Sequence, residues 1–258
     1  MKDGKLLALF MVTAAVILGL LLVPHSSPLR YAINDAGQFL VVLVAVMIGL
    51  ERARFFGLRS ALGKALLFIS LASLAWGLGT LVMLYHDAVL QIETPPFPFL
   101  ADMFYLAAFP LYLYGLYMLL KNISRIDVKV AANLAALPVI LLLLYILIQG
   151  RFAHGTSLLG LLGIVYPIGD AIILSFALVI LGMIRGSRLS RPVGIMCIAF
   201  MIQIFADLFF IATVSMGTYY VGNWVEMLYA IRFMALGAGM YLTRDIIGIQ
   251  MGKRKARK

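Results

Sequence analysis

Of the 258 residues, 64% are apolar and only 12% are charged, and mean hydropathy is +1.04. A soluble domain is about half apolar and about a quarter charged, so a water-soluble fold is excluded. The net charge of +10 is dispersed along the chain rather than gathered in one aromatic-laced groove, which excludes a nucleic-acid partner.

In chain order, Lys2 and Lys5 precede a first apolar span over 6–23. It resembles a signal peptide, but it is long, and Val23-Pro24-His25-Ser26 lacks a small-x-small cleavage site, so an uncleaved anchor is expected. A second span covers 32–50 and opens near Asp35-Ala36, and a third covers 65–85 and contains Trp76. The loop after it carries Asp87, Glu93 and the stiff run Pro95-Pro96-Phe97-Pro98, read either as a rigid hairpin or as a lid. Further spans cover 100–120, 130–148, 158–184, 193–214 and 224–242. Each is long enough to cross about 30 Å of hydrocarbon. Most lack the alternation of barrel strands, and lipid permits only helices or closed barrels. The fold class is therefore all-α: a polytopic integral membrane bundle of eight transmembrane helices, one domain over 1–258, with halves 1–129 and 130–247 and a basic tail over 248–258.

Basic residues mark the cytoplasmic side. With the N-terminus inside, eighteen of the 21 Lys and Arg fall in cytoplasmic segments, Arg30 and Arg151 fall in outer loops, and Arg232 lies within a span. An odd number of helices destroys this partition. Both termini are thus expected in the cytoplasm of a multi-pass cell-membrane protein whose first partners are membrane lipids.

An internal repeat is also expected. Aligning the segments from Ala101 and Val225 pairs Asp102 with Glu226, Tyr105 with Tyr229, Phe109 with Phe233 and Gly115 with Gly239 at a constant offset of 124 residues. Asp35-Ala36 and Asp170-Ala171 open corresponding second and sixth spans. The pattern implies four plus four helices related by an axis along the membrane normal.

Ionisable groups inside hydrocarbon are the strongest functional clue, because burying one unpaired is costly. Asp170, Asp207 and Arg232 qualify, and an ion pair between Arg232 and one or both aspartates is expected. Gln203 stands four residues before Asp207 and Tyr229 three before Arg232, each on the same helical face as the charge it accompanies. The cluster reads either as glue that fixes helix rotation or as a ligand site. Asp102 and Glu226 lie in the first turns of their helices, where a carboxylate suits the positive end of the dipole. Trp76, Tyr105 and Tyr229 are read as pocket walls or as interfacial anchors. His25, His86 and His154 fall in or beside outer segments, which leaves an outer zinc or haem site as a minor alternative, and Cys197 is the single cysteine. No common catalytic signature is present, so no catalytic residue, metal ligand or cofactor is assigned.

The run WGLGTLVMLYHDAVLQIETPPFPFLADMFYLAAFPLYLYGLYMLLK from Trp76, the YPIGD run from Tyr166, and FADLFFIATVSMGTYYVGNWVEMLYAIRFMALG from Phe205 resemble the multi-helix membrane sensor module found ahead of GGDEF diguanylate cyclases and histidine kinases, and also as stand-alone prokaryotic proteins. The most specific pieces are Pro96, Pro98, Ala101, Asp102 and Tyr105, with Tyr166, Pro167, Gly169 and Asp170. The resemblance implies signal reception. After Leu242 only a basic tail follows, with no GGDEF or kinase sequence, so the output is expected from a separate cytoplasmic partner, with a homodimer as a second arrangement. The leading expectation is a stand-alone sensor or receptor-like bundle binding a small or lipidic ligand from the outer side. The alternatives are a small-solute or ion-coupled transporter, and an intramembrane lipid-modifying hydrolase similar to the eight-helix lysoplasmalogenase-like enzymes, with Asp170 and Asp207 as its acid and base.

Overall fold

With no water to satisfy backbone polar groups, an apolar chain of this kind satisfies them within helices. The computed structural model describes residues 4–24, 28–90, 100–121, 136, 138–140 and 158–246. Among them, seven helices are long and apolar enough to span a membrane: α1 (Gly4–Leu22), α2 (Pro28–Phe56), α3 (Ala61–Leu84), α4 (Leu100–Leu120), α5 (Leu158–Met183), α6 (Ser190–Ser215) and α7 (Trp224–Leu242). A π-helical turn, Tyr85–Leu90, extends α3, and a short 3-10 turn, Thr243–Ile246, follows α7. The sixth, seventh and eighth predicted spans are thus α5, α6 and α7. The predicted span over 130–148 and the proline-rich loop lie outside the described residues, apart from 136 and 138–140 in the former.

Local chemistry sets the helix ends. Ser60 caps α3, its hydroxyl accepting from the Gly63 amide at 2.9 Å, after a turn in which Gly57 takes φ +85°. Asn223 caps α7 by accepting from the amides of Val225 at 2.8 Å and Glu226 at 3.3 Å. Pro28 starts α2, where its missing N–H costs nothing, so α2 begins four residues before the predicted span at 32. Its 29 residues give about 43 Å, more than a bilayer core. One end of α2 therefore emerges with Glu51, Arg52 and Arg54.

One end of the bundle is basic. Lys5 at the start of α1 pairs with Glu51 near the end of α2. The Arg52 guanidinium lies 5.3 Å over the Tyr241 ring near the end of α7. The start of α1 and the ends of α2 and α7 therefore share one face. Apolar side chains point outward along the helices, as on α1 with Leu7, Met11, Leu18, Leu21 and Leu22, a surface that suits lipid and not water.

Within the bundle, α3 packs on α2 and α4, α6 on α5 and α7, α2 on α7, and α4 on α5, with α1 against α2 and α7. Close approach depends on glycines, two of which sit against the backbone of a facing helix at matching places. A Cβ at Gly115 of α4 would meet Ile69 Cγ1 at 3.0 Å and the Ala65 carbonyl at 3.1 Å, both on α3. A Cβ at Gly239 of α7 would meet Met196 Cγ at 2.6 Å and the Pro192 carbonyl at 3.0 Å, both on α6. In lipid no hydrophobic force drives helices together, so this small-residue packing carries association.

The core towards the basic end is mostly apolar, with Leu66, Ile69, Leu116, Leu174, Ile180, Met196, Leu236 and Met240 buried, and Arg52 with a few hydroxyls as its buried polar groups. Buried polar side chains gather towards the opposite end: Asn34, Asp35, Gln38, Thr80, Asp87, Gln203, Asp207, Glu226 and Arg232.

Candidate functional site

Two layers of polar side chains fill the bundle towards the end opposite Lys5. In the upper layer, Glu226 sits in the first turn of α7 and is buried. The predicted role at the helix dipole is overtaken by tertiary contacts, because Asn223 already caps the helix. The Glu226 carboxyl instead accepts from Gln38 Nε2 at 2.8 Å, Asn34 Nδ2 at 3.5 Å and the Tyr219 hydroxyl at 2.5 Å. Asn34 also donates to Asp35 Oδ1 at 2.9 Å, and Gln38 to Asn34 Oδ1 at 2.9 Å. Tyr219 lies in the link between α6 and α7. Burial, and then the Glu226 carboxyl beside it, push its hydroxyl well above the ordinary phenol range and keep it a donor.

Arg30 differs from its predicted place in an outer loop. It lies in α2 and is buried, donating from Nη1 to the Val23 carbonyl at 2.5 Å and from Nη2 to the Gly222 carbonyl at 2.5 Å. Its guanidinium lies 5.4 Å over the Tyr220 ring. It thereby ties the link before α7 to the start of α2.

The lower layer holds the predicted cluster. Arg232, eight residues into α7, Asp207, eight residues before the end of α6, and Trp76, eight before the end of α3, each sit about 12 Å from those helix ends. The direct ion pair expected between Arg232 and an aspartate is not formed. Gln203 stands between the charges: its Oε1 accepts from Arg232 Nη1, and its Nε2 donates to Asp207 Oδ2 at 2.8 Å. A glutamine relays both sides because its amide has an acceptor and a donor. Asp207 Oδ1 accepts the Tyr229 hydroxyl at 2.6 Å. The Asp170 carboxyl lies on the same side of the bundle as that of Asp207, and its Oδ2 is buried without a hydrogen-bond partner, as are Nε and Nη2 of Arg232.

The aromatic residues wall this layer and are not interfacial anchors. Trp76 is buried, with the Arg232 guanidinium 4.3 Å from its ring centre, an attraction that desolvation strengthens. Tyr105 lies 4.7 Å and Tyr229 6.2 Å from Trp76, centre to centre. Asp102 accepts from the Tyr166 hydroxyl at 2.7 Å, joining α4 to α5. Of the eight predicted site residues, Trp76, Tyr105, Asp170, Asp207, Tyr229 and Arg232 gather in or around the lower layer, Glu226 belongs to the upper layer, and Asp102 is placed by its bond to Tyr166 between α4 and α5. Asn34, Gln38, Arg30 and Tyr219 join them without having been singled out. Among the described residues no group of three His, Cys, Asp or Glu side chains could hold a metal ion; His25 and His154 lie outside those residues.

This fold and interior define the class: a multi-pass helical membrane protein with a polar, aromatic-walled centre. Comparison with known proteins finds no significant match to a family model, a curated protein or a solved structure.

Proposed function

We propose that this chain is a receptor-like membrane sensor of eight spans, with both termini in the cytoplasm of a cell membrane, reading a small ligand from the outer side and passing the signal to a separate cytoplasmic partner. The observation that carries the reading is the polarity gradient along the bundle. Polar and ionisable side chains occupy the half opposite the basic end, while the other half is close-packed and mostly apolar. A transporter needs a polar route through both halves. A receptor needs one opening and a rigid body to carry the movement.

Span number, direction and repeat are part of the proposal. The contacts between Lys5 and Glu51 and between Arg52 and Tyr241 favour an even number of spans. The positive-inside rule turns that face to the cytoplasm. The repeat is supported by exchanged contacts. The second span meets the eighth through Gln38 and Glu226, and the sixth meets the fourth through Tyr166 and Asp102. Gly115 packs over Ala65 and Ile69, while Gly239 packs over Pro192 and Met196, which follow them by 127 residues. At the level of whole helices, these contacts are the kind that a rotation exchanging the halves would relate.

The test uses whatever molecule the protein retains. Protein gently extracted from its native membranes is examined by native mass spectrometry, and small molecules released from it are added back to emptied protein carrying spin labels at Arg54 and Lys121. Restored binding with a changed distance between the labels supports a sensor. Binding followed by uptake into proteoliposomes favours the transporter, and consumption of the compound favours the hydrolase.

A further inference from the structure

Arg232 poses a definite chemical problem. Guanidinium groups are not deprotonated in proteins, and this one is 3% exposed. Nη1 is satisfied by Gln203, but Nε and Nη2 have no partner. Those two nitrogens form the side edge of the guanidinium, whose parallel N–H bonds match the two oxygens of a carboxylate. The nearby carboxyls do not fill that role. Asp207 is taken by Gln203 and Tyr229, and Asp170 makes no ion pair with Arg232 although it lies within its electrostatic reach. Asp170 keeps a buried oxygen, Oδ2, with no hydrogen-bond partner.

A donor edge and an acceptor oxygen are therefore both unmet within one aromatic-walled layer. A simple anion would satisfy Arg232 but bring a further negative charge into a layer that already holds Asp170 and Asp207, and would leave the Asp170 oxygen unmet. A simple cation would satisfy Asp170 and leave Nε and Nη2 unmet. A molecule with a carboxylate at one end and an ammonium at the other meets both and adds no net charge. We propose that the interior between α3, α5, α6 and α7 is a recognition site for a small zwitterionic amino acid, its carboxylate held side-on by Nε and Nη2 of Arg232 and its ammonium by Asp170 Oδ2, against Trp76. Gln203 and Tyr229 are positioning residues: they hold Asp207 away from Arg232 and so keep the guanidinium edge for the ligand. The proposal names the ligand class of the receptor reading and rests on that reading only for its signalling consequence.

The full chain in lipid nanodiscs is titrated with each of the common protein amino acids and, as controls, with the amines and carboxylic acids that lack one of the two ends. Thermal unfolding and direct calorimetric binding are the readouts. At least one amino acid should raise Tm, and its one-ended analogues should not. Arg232→Lys keeps a cation but loses the paired donors, so it should retain the fold, read as a cooperative ligand-free unfolding transition, and weaken binding by about tenfold or more. Asp170→Asn should weaken binding of the amino acid without creating binding of the amine-free acid.

The inference is overturned if no amino acid shifts Tm or gives binding heat, if one-ended analogues bind as well as the amino acid, or if folded Arg232→Lys binds like the wild type. The spin-label pair at Arg54 and Lys121 separates the two proposals. Amino-acid binding with no change in that distance upholds the site and overturns the sensor. Absence of amino-acid binding overturns the site, while the sensor is still judged on its retained molecule.

Discussion

The hydrogen bond between Gln38 on α2 and Glu226 on α7 joins the two proposed halves, and its strength can be measured. Gln38→Met removes one of the three side-chain donors to the Glu226 carboxyl and leaves Asn34 and Tyr219 in place. Interhelical hydrogen bonds in membranes contribute about 0.6 kcal/mol on average and up to about 1.7 kcal/mol. At 2.8 Å and fully buried, this bond belongs in the upper part of that range, so a loss of about 1 kcal/mol is expected. Glu226→Met should cost more, about 2 kcal/mol, because the Tyr219 hydroxyl loses its acceptor as well. If the two side chains act on each other, the double variant should cost about 1 kcal/mol less than the sum of the single costs. The assay is equilibrium unfolding in mixed micelles for the four proteins of the cycle. Strict additivity, with both single variants folded, would refute the contact and with it the main polar link between α2 and α7.

Three further outcomes follow from the same geometry. Gly239→Ala should destabilise by about 1–3 kcal/mol through overpacking, and by more than Gly115→Ala, because its added Cβ comes closer to the facing helix; unfolding midpoints in the reverse order would contradict the packing described. Lys5→Ala should change stability by less than about 0.5 kcal/mol, since the Lys5 and Glu51 side chains are 55% and 44% exposed; a loss above about 1 kcal/mol in the same assay would show a role beyond a solvated ion pair. Reporters fused at Arg59 and after Lys258 should both report cytoplasm, and an outward signal from either would end the eight-span orientation.

Much of the bundle was legible because membrane spans are written in long apolar runs. The sixth to eighth predicted spans correspond closely to α5, α6 and α7. Boundaries moved where local chemistry outweighed hydropathy, as at α2, which Pro28 starts early and which carries Arg30 into the fold. Asp170, Asp207 and Arg232 stood out as charges within apolar runs, but their partner did not. Gln203 was recognisable only as a neighbour of Asp207 on one helical face, whereas its relay to Arg232 depends on how α6 and α7 are rotated. Asn34 and Gln38 were passed over because neither is ionisable and each looks ordinary near a span entrance. Their spacing of four residues, on one face with Asp35 beside them, was the available signal. Trp76, Tyr105 and Tyr229 were readable as interfacial anchors or as pocket walls until the packing of α3 with α4 and α7 set Trp76 beside both tyrosines.

The most direct test of the central claim, that the polar interior opens to the outside alone, is cysteine accessibility. Cys197 is the single native cysteine, so a Cys197→Ser background with one new thiol at a time is available. Gln203→Cys and Thr80→Cys should react with a small, membrane-impermeant thiol reagent added to intact cells. They should stay unmodified when the same reagent reaches only the cytoplasmic face of inverted vesicles, and Ser70→Cys, in the close-packed half, should resist from both sides. Modification of Gln203→Cys from the cytoplasmic face, or from neither face, would contradict the account.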